Sequence, residues 1–171
     1  MAKQALTLES LDRIVSAGDD HALAEAALAG LCEISPGDHF SAILFHPVTL
    51  AAEAFFPHQG WLASGNDFRD AAGGKLIEHP LARKFLNRQE SMALLRSREV
   101  SDNEWRRSFI YNELDRPLGV EDIATVYHVT SSKRVLVLTC GRSRRFFDHE
   151  FSPIQAYHRI LNGLRTLDSK R

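Results

Sequence analysis

The chain has 171 residues, 44% of them hydrophobic and 25% charged, with 21 Lys and Arg against 22 Asp and Glu for a formal net charge of −1. That length supports one domain with a proper core, and the charge balance argues against a generally electropositive nucleic-acid binder. No apolar run approaches the ~20 residues that span a bilayer, the N-terminus MAKQALTLES lacks a signal-peptide segment, and Cys32 and Cys140 stand far apart without CxxC spacing, so a cytoplasmic chain with no disulfide framework or zinc site is expected.

Thr7 is placed to cap a first helix over about 8–17, with Leu8, Leu11, Ile14 and Val15 on one stripe. Asp19 or Asp20 caps an Ala-rich second helix carrying Leu23, Ala27, Leu28 and Leu31, which "SPGD" ends. "HFSAILFHPV" reads as a strand, and "AAEAFFPH" as its hairpin partner. Residues 60–88 are irregular and broken by Gly65, Gly73 and Gly74, until Pro80 opens a helix running to about Asn87. "SMALLR" follows as a short strand. In "VSDNEW", Ser101 and Glu104 form a capping box, while Val100 and Trp105 occupy the hydrophobic-staple positions of a helix through about Leu114. Pro117 biases Arg116 away from helical geometry, and Gly119 allows a left-handed turn into the next strand. "EDIATVYHVT" and "KRVLVLTCG" form a hairpin turning at Ser131 and Ser132. A last helix starts near Asp148 or at Ser152-Pro153 and carries Phe151, Ile154, His158, Leu161 and Leu164 to about Leu167.

Strands paired by hairpins imply an antiparallel sheet and an α+β fold. "RVLVLTC" and "SAILF" lack polar alternation, so both sheet faces are covered. The terminal helices take one face. The segment from about 60 to 115 takes the other, and a pocket would form there.

Between His79 and Arg165, "HPLARKF", "EWRRSFIYNELDRPLGVED" and "LTCGRSRRFFDHEF" occur in an order and spacing that resemble the GAF-like N-terminal sensory half of a group of LuxR-type transcriptional regulators. The resemblance implies one GAF-like domain over 1–171, with N-terminal helices in 1–32, a sheet with inserted helices in 38–144 and a C-terminal helix in 148–168. It implies a small-ligand sensor that is not an enzyme, needs no cofactor, has no membrane contact and signals through its terminal helices in a homodimer. Such regulators continue into a helix-turn-helix domain, whereas this chain stops at Arg171. It is therefore expected to be a truncated or free-standing sensor, and direct nucleic-acid binding is not carried over.

The aromatic residues supply the candidate site. Phe56, Trp61, Phe68, Phe85, Phe109, Tyr111 and Tyr127 would give a small-molecule pocket its apolar, stacking lining, and ordinary core packing is the plain alternative. For Trp105 the staple already accounts for the position. His46, His58 and His128 fall on or near strands without HxH or HExxH spacing, so no metal is expected. Cys140 precedes Arg142, Arg144 and Arg145, a setting that could activate a thiolate. Strand alternation instead groups it with Leu136 and Leu138, opposite Val137, as a small buried residue. The basic clusters "GRSRR", "LLRSR" and "WRR" would hold an anion if they converged, and are otherwise solvated faces. Two alternatives to a sensor stay open: a GAF-fold redox enzyme using Cys140, and an interaction module without a ligand.

Overall fold

The structure is a computed structural model and describes residues 5–49, 51–58 and 78–168, with side chains through 164. The chain opens with α1 (Leu8–Val15), which Thr7 caps by accepting from the Ser10 amide, and α2 (Asp20–Ile34), which Asp19 caps by accepting from the Ala22 amide. Strands β1 (His39–Phe45) and β2 (Ala52–His58) form the first hairpin. Next come α3 (Pro80–Arg88), β3 (Met92–Leu95), the single-turn α4 (Arg96–Glu99) and α5 (Asp102–Arg107). A π-helical turn over Tyr111–Asp115 leads to β4 (Asp122–Val129), β5 (Val135–Arg142) and the long α6 (Asp148–Asp168).

The strands form one antiparallel five-stranded sheet in the order β2-β1-β5-β4-β3. Alternation along each strand sends its side chains to two separate cores. On the first face, α2 and α6 lie against Phe40, Ala42, Leu44, Ala124, Val126, Leu136, Leu138 and Cys140. Small residues let these helices approach closely. A Cβ on Gly30 would stand 2.7 Å from the Tyr157 hydroxyl, and the absence of one leaves a notch in which that hydroxyl donates to the Ala27 carbonyl at 2.7 Å. The terminal helices thus cover one face of an α+β sheet, as the sequence predicts.

Local differences from the sequence reading have physical causes. The stripe assigned to α1 is too broad: Ile14 is buried, but Leu8 and Val15 are 86% and 60% exposed. The inner side of this helix is largely polar, with Thr7 and Ser10 hydrogen-bonded to Glu33 of α2. The helix expected through Leu114 breaks at Ser108, whose backbone is extended. The Ser108 hydroxyl donates to the Trp105 carbonyl at 2.7 Å and accepts from the Tyr111 amide at 3.2 Å, so one side chain ends α5 and starts the π turn. Arg116 is helical (φ −60°, ψ −44°), contrary to the proline-based expectation. Its amide closes the π turn on the Tyr111 carbonyl at 2.7 Å, and burial of Leu114 and Asp115 holds that turn against the steric bias before proline. Gly119 does take the left-handed conformation, at φ +70°.

Candidate functional site

The second face of the sheet is built from Ile43 and Phe45 of β1, Ile123 and Tyr127 of β4, and Val135 and Val137 of β5. Above it lie Leu81 and Phe85 of α3, Trp105 of α5, and Ile110, Tyr111 and Leu114 around the π turn. Pro80 at the start of α3 and His79 as its cap set the direction of that helix, and the Val100–Trp105 staple seats α5, with both partners buried. The rings make a connected layer. Phe85 stacks on Tyr127 at 4.8 Å and 8°, and meets Phe45 edge-on at 6.3 Å. Trp105 lies 5.8 Å from Tyr111 and 5.5 Å from His79. The Nδ1 of His79 accepts from the Leu81 amide at 3.1 Å, and burial pushes this imidazole down to about 4, which leaves it neutral at pH 7. Burial also raises the Tyr127 phenol, so it stays protonated.

Polar groups interrupt this apolar layer. Ser41, Thr139 and Thr125 are register partners across β1, β5 and β4, and alternation places all three on the second face. Ser41 and Thr139 share a hydroxyl–hydroxyl contact at 2.5 Å, whereas the buried Thr125 hydroxyl has no hydrogen-bond partner among the described residues. The Trp105 indole nitrogen and the Asp115 Oδ2 atom are likewise buried and unpartnered among the described residues. Burial raises the Asp115 carboxyl well above the usual carboxylate range, and nearby Arg96 offsets only part of that rise. Arg96 itself is buried. It donates to Asp102 Oδ1 and to the Glu121 carbonyl, each at 2.6 Å, pairs with Asp122 at 3.2 Å, and places its guanidinium carbon 5.7 Å from the Trp105 ring centroid. Asp122 also accepts from the amides of Ser97 and Phe146, which ties this region to the start of α6.

Of the residues proposed from sequence, Phe85, Phe109, Tyr111 and Tyr127 meet in the second-face cluster. Phe56 does not: it lies on the helix-covered face, where His21 meets it edge-on at 5.6 Å, and its neighbour Phe55 points to the second face. The two-residue period of a strand decides this, and the sequence alone led to Phe56 rather than to the adjacent Phe55. Trp61 and Phe68 lie outside the described residues. Phe109 also edges a surface depression of about 570 Å³ between α3 and α5, lined further by Glu78, Arg83, Asn103, Glu104 and Arg107.

Cys140 is fully buried on the first face, 2.8 Å from the Ser35 hydroxyl, and burial pushes its thiol up to about 12. The basic clusters do converge in part, but on carboxylates. Arg98 pairs with Asp148, Arg145 with Asp102, and Arg142 and Arg144 share Glu150, which they hold down to about 2. Among the described residues no group of His, Cys, Asp and Glu could hold a metal ion, and no helix is long and apolar enough to cross a membrane. Sequence reasoning missed Arg96, Asp115 and Thr125. A lone polar residue inside the strand pattern was a readable signal for Thr125, while the burial of Arg96 and Asp115 depends on tertiary contacts.

No protein-family model matches the sequence, and neither does any curated protein. Solved structures do match in fold. The ligand-binding domain of VqsR from Pseudomonas aeruginosa is 17% identical with a TM-score of 0.60, over 91% of this chain and 96% of that one. The N-acylhomoserine-lactone-dependent LuxR-family factor CepR2 from Burkholderia cenocepacia is 13% identical with a TM-score of 0.61, over 91% and 88% of the two chains. SdiA in complex with octanoyl-rac-glycerol is 15% identical with a TM-score of 0.61; the match covers 93% of this chain and 62% of SdiA. The architecture described above is therefore the fold of LuxR-type ligand-binding domains.

Proposed function

We propose that this chain is the ligand-sensing domain of a regulator, holding a small molecule against the second face of the sheet. The observation that carries this reading is an aromatic-layered, buried sheet face that keeps polar atoms without partners among the described residues, in a fold shared with ligand-binding domains. Native interiors satisfy nearly all buried polar groups, so each exception calls for a partner such as a water, an ion or a ligand. CepR2 depends on an N-acylhomoserine lactone and SdiA is bound to an acylglycerol, so acyl compounds with polar heads are the first class to test. The ligand acts on the terminal helices, which transmit the signal through a homodimer; the region around Arg96 and Asp122 adjoins both the second face and the start of α6. The buried, protonated thiol of Cys140 favours this reading over a redox enzyme, because the thiolate is the reactive form.

Thermal-shift measurements on the full chain with an acylhomoserine lactone and acylglycerol library test the reading, since a ligand that binds only the folded state raises its stability by mass action. The expected result is a rise of several degrees for one chemical series, retained in Cys140→Ser. A flat response across the library sinks it. A dilution series by light scattering that shows monomer at every concentration removes the dimer.

A further inference from the structure

On the first face of the sheet, α6 meets β4 through three polar side chains joined end to end. Asn162 of α6 stands between two histidines: its Nδ2 donates to His158 Nε2 at 3.0 Å, and its Oδ1 faces His128 Nδ1 at 3.4 Å. His158 lies one helical turn before Asn162 and is half-buried, whereas His128 sits within β4 and is 3% exposed. Alternation along β4 puts His128 on the same side as Ala124 and Val126, beneath α6. His158 also donates to the Ser91 main-chain carbonyl just before β3, and the Ser91 hydroxyl accepts from the Val129 amide at 3.0 Å.

A carboxamide offers oxygen on one side and N–H on the other, so the two rings must play opposite parts toward it. As the side chains stand, His128 donates from Nδ1 and His158 accepts at Nε2. A proton added to His158 Nε2 removes that acceptor and sets N–H against N–H. The bonds recover when the amide turns over. Its oxygen then accepts from His158, and its N–H donates to His128 Nδ1, which must give up its hydrogen. Three linked groups of this kind hold one added proton, and the half-buried ring takes it because charge on the buried ring costs more desolvation. The groups facing His158 are Arg159 on its own helix, His128 from β4 by way of Asn162, and the Ser91 carbonyl; α2 brings Glu33 and Cys32 toward Tyr157 instead. Burial pushes the His158 imidazole below 6.5 and Arg159 adds to this, together outweighing the Ser91 carbonyl. The neutral arrangement therefore contributes stability above pH 6.5 and loses it as pH falls through the lowered value.

We propose that His158, Asn162 and His128 form a one-proton switch that carries an acid signal from the surface of α6 into the sheet. Protonation of His158 turns over the Asn162 amide and moves the His128 hydrogen from Nδ1 to Nε2, for a net uptake of one proton. His128 adjoins Tyr127, whose ring stacks on Phe85 in the second core, so the change reaches a strand that both cores share. The switch needs no ligand and does not rest on the ligand-sensing reading.

Long-range proton–nitrogen correlation spectra of the full chain with isotope-labelled histidine test this, because ring nitrogen shifts separate the two neutral tautomers from the cation. The titration runs from about pH 7.5 to about pH 5, the range in which histidine changes charge. His128→Gln and His158→Gln assign the two rings. At the upper end both rings are expected as neutral Nδ1–H forms. On acidification His158 charges, and His128 passes to the neutral Nε2–H form with the same midpoint. Asn162→Leu holds His128 in one tautomer throughout the His158 titration. Asn162→Asp presents an oxygen to both rings, and raises the proton affinity of His158 at least about ten-fold. In the parent alone, His128 keeping its Nδ1 hydrogen while His158 charges overturns the proposal, and so does charging of both rings at one midpoint. A tautomer change that persists in Asn162→Leu overturns it as well, since it would not pass through the amide.

Discussion

The two faces of one sheet are finished differently. On the first, Leu136 and Leu138 are fully buried under α2 and α6, the Tyr157 hydroxyl reaches the Ala27 carbonyl at 2.7 Å, and Ser35 meets Cys140 at 2.8 Å, while at the strand end the buried Arg142 Nε has no hydrogen bond among the described residues. On the second, a ring layer faces the sheet, and the buried groups of Trp105, Asp115 and Thr125 are unpartnered among the described residues. The contrast runs through single strands. In β4, Ala124 and Val126 close the first core, and Thr125 between them turns an unsatisfied hydroxyl the other way. Stability is concentrated where every local choice agrees with the fold, and function is expected where one choice does not.

The largest effect that could break this comparison is expected in the first core. Leu138→Ala deletes a fully buried side chain at the centre of the sheet, beneath two helices. It should cost about 3 kcal/mol, through lost transfer energy and the cavity left behind. Val137→Ala, the adjacent residue on the second face, removes less buried volume and should cost about 1 kcal/mol. Urea denaturation at constant slope measures both. A cost at Leu138 no greater than at Val137 would remove the distinction between a packed face and a receptive one.

Next in size are the titrating groups of the second face, which oppose one another. His79 is pushed down from 6.5 to about 4. Its contribution to stability is therefore present above pH 6.5 and lost as pH falls toward 4, because the unfolded chain takes up the proton first. The loss is on the order of 2 kcal/mol, below the ~3 of a wholly buried imidazole because His79 keeps part of its surface in solvent. His79→Asn preserves a capping acceptor and should flatten the stability profile across that window. Asp115 acts with the other sign. Its raised carboxyl favours the folded state below 3.8, and that advantage disappears as pH climbs through the raised value. Asp115→Asn should therefore gain on the parent at neutral pH and lose that gain below 3.8. Paired denaturation profiles of each variant and parent read both signs directly.

Much of the scaffold was legible because its signals are local. Thr7, Asp19 and Ser101 cap the helices that their spacing announces, and Gly119 turns left-handed as a glycine before a strand allows. Cys140 was placed correctly with Leu136 and Leu138 by strand alternation alone. The failures involve information that arrives from elsewhere in the chain. Phe55 and Phe56 differ by which face they meet, and that depends on pairing with β1. Arg96 reads as one member of a basic run, yet Asp102 and Asp122 draw it inside. Nothing near Asp115 in sequence forecasts its burial, since the π turn that carries it forms only because Ser108 interrupts the helix.

The smallest effect gives the sharpest contrast, because it uses two threonines facing each other across one ladder. Thr125 and Thr139 are register partners on β4 and β5 and share the second face. Thr139 contacts Ser41, while the Thr125 hydroxyl is buried and has no partner among the described residues. Valine keeps the branched shape and strand propensity of threonine and removes only the hydroxyl. Thr125→Val should therefore stabilise the ligand-free chain by about 1 kcal/mol, since it deletes a desolvated group that earns no hydrogen bond. Thr139→Val should destabilise it by a similar amount, about 1 kcal/mol, since it strands the Ser41 hydroxyl. Opposite signs from one chemical change, measured by thermal and urea denaturation, would place the unsatisfied polarity at Thr125 itself. Equal signs would mean that the two hydroxyls share a single network, and the second face would then be a finished core like the first.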